Sequence, residues 1–234
     1  MMNPNLSLLL AGGLLAGIPA AMAKDAILVQ PAQFDVRAMV RSPPADASEQ
    51  TKSELAELHQ IQATRTQAEF DKAATDGKDE TVFLFHALFG DGFTADRLPV
   101  TAAFFKQVGN DESVYATIAK NEWHRPRPFL VDADIHPCGP GKSFSYPSGH
   151  ATRAYVLGIV LAAALPEKRD QILERSADYT QSRLICGVHY RTDVEAGREV
   201  GIALAAVMLS MPQVQQQVAD VRTELKAAGY IATP

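Results

Sequence analysis

The sequence predicts an all-α fold, a helical bundle in a single domain. Apolar residues recur at helical spacing over most of the chain, and no run shows the alternation typical of a strand. The chain has 234 residues, of which 47% are apolar and 21% charged, and this composition excludes a disordered or collagen-like protein. A net charge of −5 argues against general binding to nucleic acid or to anionic membranes.

The first 23 residues contain no charged side chain and predict a signal peptide. Their apolar stretch, residues 6–18, is shorter than the ~20 residues that span a bilayer. Ala21 and Ala23 form a small-x-small cleavage site, so we expect cleavage after Ala23 and export to the periplasm, with no membrane attachment afterwards. An uncleaved anchor is the alternative, because residues 1–5 lack the usual Lys or Arg.

Residues 24–47 contain three prolines and little periodicity, so we predict an N-terminal extended arm ahead of a single domain over 48–234. Ser48 is a favourable N-cap for one long helix, which the periodicity extends to about Asp76. Pro and Gly residues predict a long loop over 129–146. Apolar periodicity predicts the remaining helices over 81–88, 99–123, 148–165, 167–185, 193–211 and 212–228.

Five residues have the chemistry of an oxyanion site. Lys120, Arg127 and Arg183 are cations in an acidic protein, and guanidinium groups bind phosphate oxygens two at a time. Ser148 and Gly149 open a predicted helix directly after a proline. Unpaired backbone N–H groups and the positive end of the helix dipole favour an anion there.

Two histidines have the chemistry of phosphoryl transfer. His189 and Asp193 lie four residues apart, so the carboxylate can reach one ring nitrogen on a helical segment and leave the other as a nucleophile. His150 has no such carboxylate in its own segment and is free to act as a general acid. These roles require a protonated His150 and a neutral His189, so we expect an optimum at mildly acidic pH.

These residues resemble the signature of the phosphatidic-acid phosphatase type 2 superfamily, and within it the bacterial class A non-specific acid phosphatases. The signature is Lys-x6-Arg-Pro, Pro-Ser-Gly-His and Ser-Arg-x5-His-x3-Asp, and its three parts occur in order from Lys120 to Asp193. The resemblance implies the helical bundle of the vanadium haloperoxidases and acid phosphatases, with no metal or other cofactor. It implies that His189 forms a phosphohistidine, that Asp193 orients it and that His150 protonates the leaving oxygen. The implied phosphate pocket consists of Lys120, Arg127, Ser148, Gly149 and Arg183.

We therefore predict a secreted, non-specific acid phosphatase that hydrolyses small phosphate monoesters. The sequence leaves the oligomeric state open, and a homodimer or a higher homo-oligomer is compatible with it. A vanadium haloperoxidase is one alternative, because its vanadate pocket resembles this one, although haloperoxidase chains are considerably longer. A non-catalytic phosphate-binding protein on the same bundle is another alternative. The presence of His189, Asp193 and His150 argues against it, because binding alone requires no nucleophile.

The two cysteines, Cys138 and Cys186, predict one disulfide in an exported protein. Arg125 precedes a proline beside the pocket, where it either helps to admit anions or faces solvent. Asp132 and Asp134 lie close to His136 but lack a partner motif elsewhere, so we interpret them as a polar loop and not a metal site. The histidines outside the signature are interpreted as surface or packing residues: His59, His86, His124 and His136.

Overall fold

A computed structural model describes residues 25–139, 141 and 143–231. The predicted signal peptide lies outside these residues. Within them the secondary structure is helical and contains no strand, which confirms the all-α prediction. The α-helices of this part of the chain are α1 (Val36–Met39), α2 (Glu49–Thr64), α3 (Gln67–Asp76), α4 (His86–Phe89), α5 (Pro99–Trp123), α6 (Pro128–Val131), α7 (Gly149–Ala164), α8 (Arg169–Ile185), α9 (Arg191–Leu209) and α10 (Pro212–Ala227).

Helix α7 is the centre of the bundle. It is apolar and buried along most of its length, and it packs against α5, α8 and α9. The contact with α9 is close, because a Cβ on Gly197 or Gly201 would collide with the backbone oxygen of Ser148 or Thr152. This packing fixes the beginnings of α7 and α9 beside each other. No helix in the described ranges is both long enough and apolar enough to cross a bilayer.

The single long helix predicted over 48–76 is wrong, because the chain forms α2 and α3 with a break between them. Arg65 has an extended backbone, and Thr66 caps α3. The Thr66 hydroxyl accepts the backbone N–H of Glu69 at 3.2 Å, and the Glu69 carboxylate accepts the N–H of Thr66 at 2.7 Å. This reciprocal capping satisfies two helix-start amides and stabilises the break.

Other helix boundaries differ slightly from the predictions. The loop predicted over 129–146 begins with the last residues of α6, and α9 begins two residues before Asp193. Short 3₁₀ turns, Val82–Phe85 and Pro166–Lys168, occupy the start of two segments that were predicted as regular helix. A proline opens the second of these turns, and its missing N–H is tolerated at a helix start.

The N-terminal segment packs on the domain through Asp111 of α5. The Asp111 carboxylate accepts the backbone amides of Ile27, Leu28 and Val29 at 2.6–2.8 Å. Leu28 and Val29 are buried in the main core, and α1 follows them in the same segment. A carboxylate that accepts three backbone N–H groups leaves few of them unpaired where Leu28 and Val29 are buried.

The cysteines lie at disulfide distance, as predicted. Cys138 and Cys186 form a disulfide with their Cα atoms 4.9 Å apart. The backbone N–H of Cys138 also donates to the Cys186 carbonyl at 3.0 Å. The loop after α6 is thereby joined to the end of α8.

Candidate active site

His189 and Asp193 form a buried pair at the start of α9. Asp193 Oδ2 accepts the backbone N–H of Tyr190 at 2.9 Å and lies 3.2 Å from His189 Nδ1. On the other side of the ring, His189 Nε2 lies 3.3 Å from a guanidinium nitrogen of Arg127. Because a guanidinium group only donates, Nε2 is the atom with a lone pair and Nδ1 carries the hydrogen. Ser145 also donates its hydroxyl to Asp193.

Burial keeps the imidazole of His189 neutral, and the neighbouring groups keep the carboxylate of Asp193 ionised. Burial lowers the pKa of His189 well below its ordinary value, and the charge of Arg127 acts in the same direction. Burial alone would raise the pKa of Asp193, but the hydrogen bond with His189 and the charge of Arg125 hold it below its ordinary value. A neutral imidazole on an ionised carboxylate is the form that a nucleophilic histidine requires.

Two cations enter the site from the end of α5. His124 ends this helix in the left-handed conformation, with φ 51°, and the chain then turns back toward α9. Lys120 donates its ammonium group to the carbonyl of Phe144 at 2.6 Å, and burial together with the charge of Arg127 lowers its pKa to about 7. Arg127 donates to the carbonyls of Ser143 and Val188 at 2.8 and 2.9 Å.

Ser148 and Gly149 occupy the N-terminus of α7. Ser148 is the N-cap, and its hydroxyl accepts the backbone N–H of Ala151 at 3.4 Å. The backbone N–H of Ser148 donates to the Asp193 carbonyl at 2.9 Å, so this end of α7 is fixed against the start of α9. Gly149 is the first helical residue and lines the same cavity as His189.

His150 follows on α7 with Nε2 3.3 Å from the Gly77 carbonyl oxygen and 3.5 Å from a Glu80 carboxylate oxygen. Burial and the charge of Arg183 lower the pKa of His150 to about 3. In the protein on its own, burial and nearby guanidinium groups therefore disfavour the protonated His150 that the sequence predicts.

Arg183 lies beside the site, turned toward α3. Its guanidinium donates to the Ala73 carbonyl and lies 5.8 Å from the ring of Tyr179. Burial lowers the pKa of Arg183. Its side chain lowers the pKa of both His150 and Arg127 through its charge, so it belongs to the same electrostatic group.

A cavity of about 230 Å³ opens between these elements. Of the sequence-predicted site residues it is lined by Lys120, Arg127, Gly149, His150 and His189. Three others stand outside its lining: Ser148 and Asp193 are buried behind it, and Arg183 packs against α3. The cavity therefore combines two histidines with Lys120 and Arg127, which suits the binding and transfer of a phosphoryl group.

The cavity is also lined by two acidic residues and one basic residue that the sequence did not indicate. Arg153 of α7 donates its Nε to buried Glu112 at 2.6 Å and pairs with Glu80 at 3.0 Å. Burial raises the pKa of Glu112 even though the charge of Arg153 opposes the shift. These residues line the cavity but match no part of the signature, so no sequence motif marks them.

Arg125 neither faces solvent nor lines the cavity, so neither of the two interpretations left open by the sequence holds. It is 2% exposed, and its guanidinium donates to Asp193 Oδ1 at 2.7 Å and to Glu54 Oε2 at 2.8 Å. The guanidinium also stacks over the ring of Tyr190, with 3.8 Å to the centroid. Arg125 therefore holds the carboxylate that orients His189 and does not line the cavity.

The other sequence-based interpretations concern the surface. His86, His124 and His136 are exposed. His59 is partly buried and lies 2.8 Å from the Asp132 carboxylate. No cluster of metal-ligating side chains is found in residues 25–139, 141 and 143–231.

Several known proteins are similar to this chain. The sequence model of the PAP2 superfamily matches residues 102–217. The non-specific acid phosphatase of Salmonella typhimurium is 35% identical over 149 residues, which is 61% of this chain and 59% of that protein. The non-specific acid phosphatase of Salmonella typhi is 40% identical over 118 residues, 47% of each chain. The matched region thus spans less than two thirds of these relatives.

Two solved structures share the fold. The first bacterial vanadium-dependent iodoperoxidase aligns with a TM-score of 0.59 at 16% identity, over 75% of this chain and 53% of that one. A transmembrane PAP2-type phosphatidylglycerolphosphate phosphatase from Bacillus subtilis aligns with a TM-score of 0.52 at 20% identity. The alignment covers 70% of this chain and 87% of that one. At these identities the likeness is one of fold. Because the family match includes all three signature blocks, from Lys120 to Asp193, the chain belongs to the PAP2 superfamily.

Proposed function

We propose that this protein is a secreted, non-specific acid phosphatase that hydrolyses phosphate monoesters through a phosphohistidine on His189. One observation carries the proposal: the buried imidazole is held by Asp193 on Nδ1, while Nε2 lies beside Arg127 in a cavity lined by cations. The similarity to bacterial non-specific acid phosphatases supports the same reaction.

Binding of the phosphoryl group rests on charge supplied by the protein. Lys120 and Arg127 line the cavity, and Gly149 brings the amide end of α7 to its wall. These donors neutralise the phosphoryl oxygens, and they also suit the trigonal-bipyramidal transition state. A divalent metal is not required in this scheme, because the positive charge comes from side chains.

The first chemical step transfers the phosphoryl group to His189. The lone pair of Nε2 forms a bond to phosphorus while the bond from phosphorus to the ester oxygen breaks. The departing oxygen takes a proton from His150, which received it from the bound ester monoanion and now returns to its neutral form. Nδ1 keeps its hydrogen on Asp193, whose negative charge stabilises the positive charge that develops on the ring.

The second step releases phosphate. A water molecule attacks phosphorus, gives a proton to neutral His150 and forms the new phosphorus–oxygen bond as the bond to Nε2 breaks. His189 regains its lone pair, and the proton on His150 leaves with the released phosphate, so that His150 is neutral again in the free protein. An added alcohol in place of water gives phosphotransfer by the same steps.

Export to the periplasm is part of the proposal. The disulfide between Cys138 and Cys186 supports it, because such bonds persist in oxidising compartments. The relatives from Salmonella support a bacterial non-specific acid phosphatase, and small phosphate monoesters are the proposed substrates.

Hydrolysis of p-nitrophenyl phosphate by the purified protein tests the proposal. We expect activity that persists in EDTA and strong inhibition by vanadate, which imitates the transition-state geometry. Activity lost in EDTA and restored by a divalent metal would overturn the metal-free scheme. Bromide oxidation after vanadate loading, without phosphatase activity, would indicate a haloperoxidase. Phosphate binding without any hydrolysis would indicate a binding protein.

A further inference from the structure

A second, larger groove of about 720 Å³ adjoins the active-site cavity. Its walls are mainly apolar and include Ile27, Val82, Phe83, Ala102, Phe105 and Gly109. The groove and the active-site cavity share Glu80, Ser113 and Arg153. The two spaces are thus neighbours with one common boundary.

Arg153 forms that boundary by reaching across from α7. Its guanidinium donates to a Glu80 carboxylate oxygen at 3.0 Å on one side, and to the Ser113 hydroxyl at 2.6 Å and the Gly109 carbonyl at 3.4 Å on the other. A ligand that extends from the cavity into the groove therefore meets a polar group first and an apolar surface beyond it.

One face of α5 forms the floor of both spaces. Lys120 lies in the cavity, Ser113 at the boundary and Gly109 in the groove. At a rise of 1.5 Å per residue, Ser113 lies ~10 Å and Gly109 ~16 Å along the helix from Lys120. The groove is thus within reach of a substrate whose phosphate is held at Lys120.

Gly109 leaves room above this floor. It lies in the interior of α5, where Gly costs roughly 1 kcal/mol relative to Ala. A Cβ built at this position meets no heavy atom within 4 Å. Close packing therefore does not demand a glycine here, and a side chain added at this position would enter the groove.

We propose that this groove binds the leaving group of the substrate, and that the preferred substrates are phosphate monoesters with an extended apolar chain. The inference rests on the proposed phosphatase function. Beyond Arg153 the groove offers Val82, Phe83 and Phe105. Its polar lining residues there are Thr81, whose hydroxyl donates to Asp79, Asn110, whose amide donates to the Asp25 carbonyl at 2.9 Å, and Lys106 and Gln107. Such a surface suits an alkyl chain better than a polar sugar.

A series of n-alkyl phosphates from ethyl to octyl, used below micelle formation, measures the preference. We expect KM to fall once the chain passes Arg153, by about two- to fourfold for each further methylene that enters the groove. The matching n-alkyl phosphonates are not hydrolysed, and their Kd values from calorimetry should fall in the same order. Equal Kd values for ethyl and octyl phosphonate would overturn the inference.

Gly109→Leu fills the groove at a position with free space. This variant should raise KM for octyl phosphate at least tenfold relative to ethyl phosphate. Ala103→Leu is the matched control, because Ala103 is exposed on α5 and does not line the groove. A Gly109→Leu protein with the wild-type ratio of KM values for ethyl and octyl phosphate would contradict the inference.

Different results would contradict the phosphatase function and the role of the groove. If all alkyl phosphates are hydrolysed equally well, the phosphatase function stands and the groove has no role in substrate binding. If none is hydrolysed, the phosphatase function fails, and the phosphonate Kd series alone then decides whether the groove binds an alkyl chain.

Discussion

The charge of one residue, His150, determines how the proposed reaction depends on pH. Burial and Arg183 lower the pKa of this side chain to about 3, so near neutral pH the imidazole is uncharged in the protein on its own. A phosphate monoester has a second pKa of about 6, so its monoanion carries one proton into the site. When the anion lies among the cations, that proton can move to His150 and leave the ester as the dianion.

We therefore expect kcat/KM for an alkyl phosphate to fall as pH rises above about 6, toward tenfold per pH unit, because the ester loses the proton that His150 needs. Lys120 adds to the fall, since its pKa is lowered to about 7 and its charge disappears as pH rises further. A pH–rate profile from pH 4 to 9 measures this. A kcat/KM that increases between pH 6 and 8 would contradict the proton transfer described for His150.

Arg125 is the second residue whose role can be isolated. Arg125→Lys keeps one charge, but an ammonium group cannot bind Asp193 and Glu54 through two fork nitrogens and loses the stacking on Tyr190. We expect kcat to fall at least tenfold with little change in KM, because Arg125 orients the carboxylate and does not line the cavity.

Arg191→Lys is the matched control for Arg125→Lys. Arg191 also joins the start of α9 to α2, through Glu57, but both side chains of that pair are 35% exposed. Exposed ion pairs contribute little, so we expect near-normal kinetics. An increase in KM with unchanged kcat in Arg125→Lys would show instead that Arg125 binds the phosphoryl group.

At the scale of secondary-structure elements, α3 connects the helical scaffold to the site. Asp76, at its end, accepts hydrogen bonds from Arg175 at 2.5 Å and from Ser182 at 2.6 Å, both on α8. The carbonyl of Ala73 accepts from Arg183, and the Gly77 carbonyl lies 3.3 Å from His150. Displacing α3 therefore changes the surroundings of two site residues.

Asp76→Asn should lower the free energy of unfolding by about 1–3 kcal/mol and raise KM, because it weakens the link between α3 and α8. Thermal unfolding and steady-state kinetics measure the two effects. Asp178→Asn is the control, since Asp178 is half-exposed and contacts the same Arg175. Equal effects of the two substitutions would show that α3 is not held by the buried carboxylate.

Acidic pH should reduce the contribution of Asp76 to the free energy of unfolding. Burial would raise its pKa, but hydrogen bonds from Arg175 and Ser182 hold the pKa below its ordinary value. The stabilisation is therefore present above the pKa of about 4 in the unfolded chain, and it is lost as pH falls through the lower pKa of the folded protein. The difference in stability between wild type and Asp76→Asn should accordingly narrow below about pH 4.

The break before α3 shows what the sequence does and does not reveal about elements. Apolar residues continue at helical spacing from Leu58 to Phe70, so periodicity alone predicts one helix. The Thr66-x-x-Glu69 pattern is a capping-box signal that could have placed the break. Glu54 has no comparable local signal. Its carboxylate accepts the backbone N–H of Thr192, which lies 138 positions away in the sequence.

The signature residues, unlike Glu54, were predictable from local sequence. His150 and His189 lie in short motifs whose spacing is itself the signal, and the structure brings both to one cavity. Their protonation was less predictable, because the pKa of His150 depends on Arg183 and on burial, which the chain acquires only when α7 and α8 pack.

At the scale of the whole molecule, the disulfide connects the loop after α6 to the end of α8, three residues beyond Arg183. Removing it by Cys138→Ser with Cys186→Ser should lower the free energy of unfolding by about 2–4 kcal/mol, because the unfolded chain gains freedom. Denaturant unfolding measures the difference, and wild type in a thiol reductant should match the double variant. Two free thiols in the oxidised wild-type protein, seen by mass spectrometry, would refute the bond.

Direct detection of the covalent intermediate tests the proposed reaction as a whole. Enzyme mixed with p-nitrophenyl phosphate is quenched within milliseconds in alkaline denaturant, because a phosphorus–nitrogen bond is labile in acid, and its peptides are analysed by mass spectrometry. We predict phosphate on His189, and neither phosphate nor turnover in His189→Ala. A His189→Ala protein that keeps its activity, or phosphate found on a different residue of the wild type, would contradict the phosphohistidine mechanism.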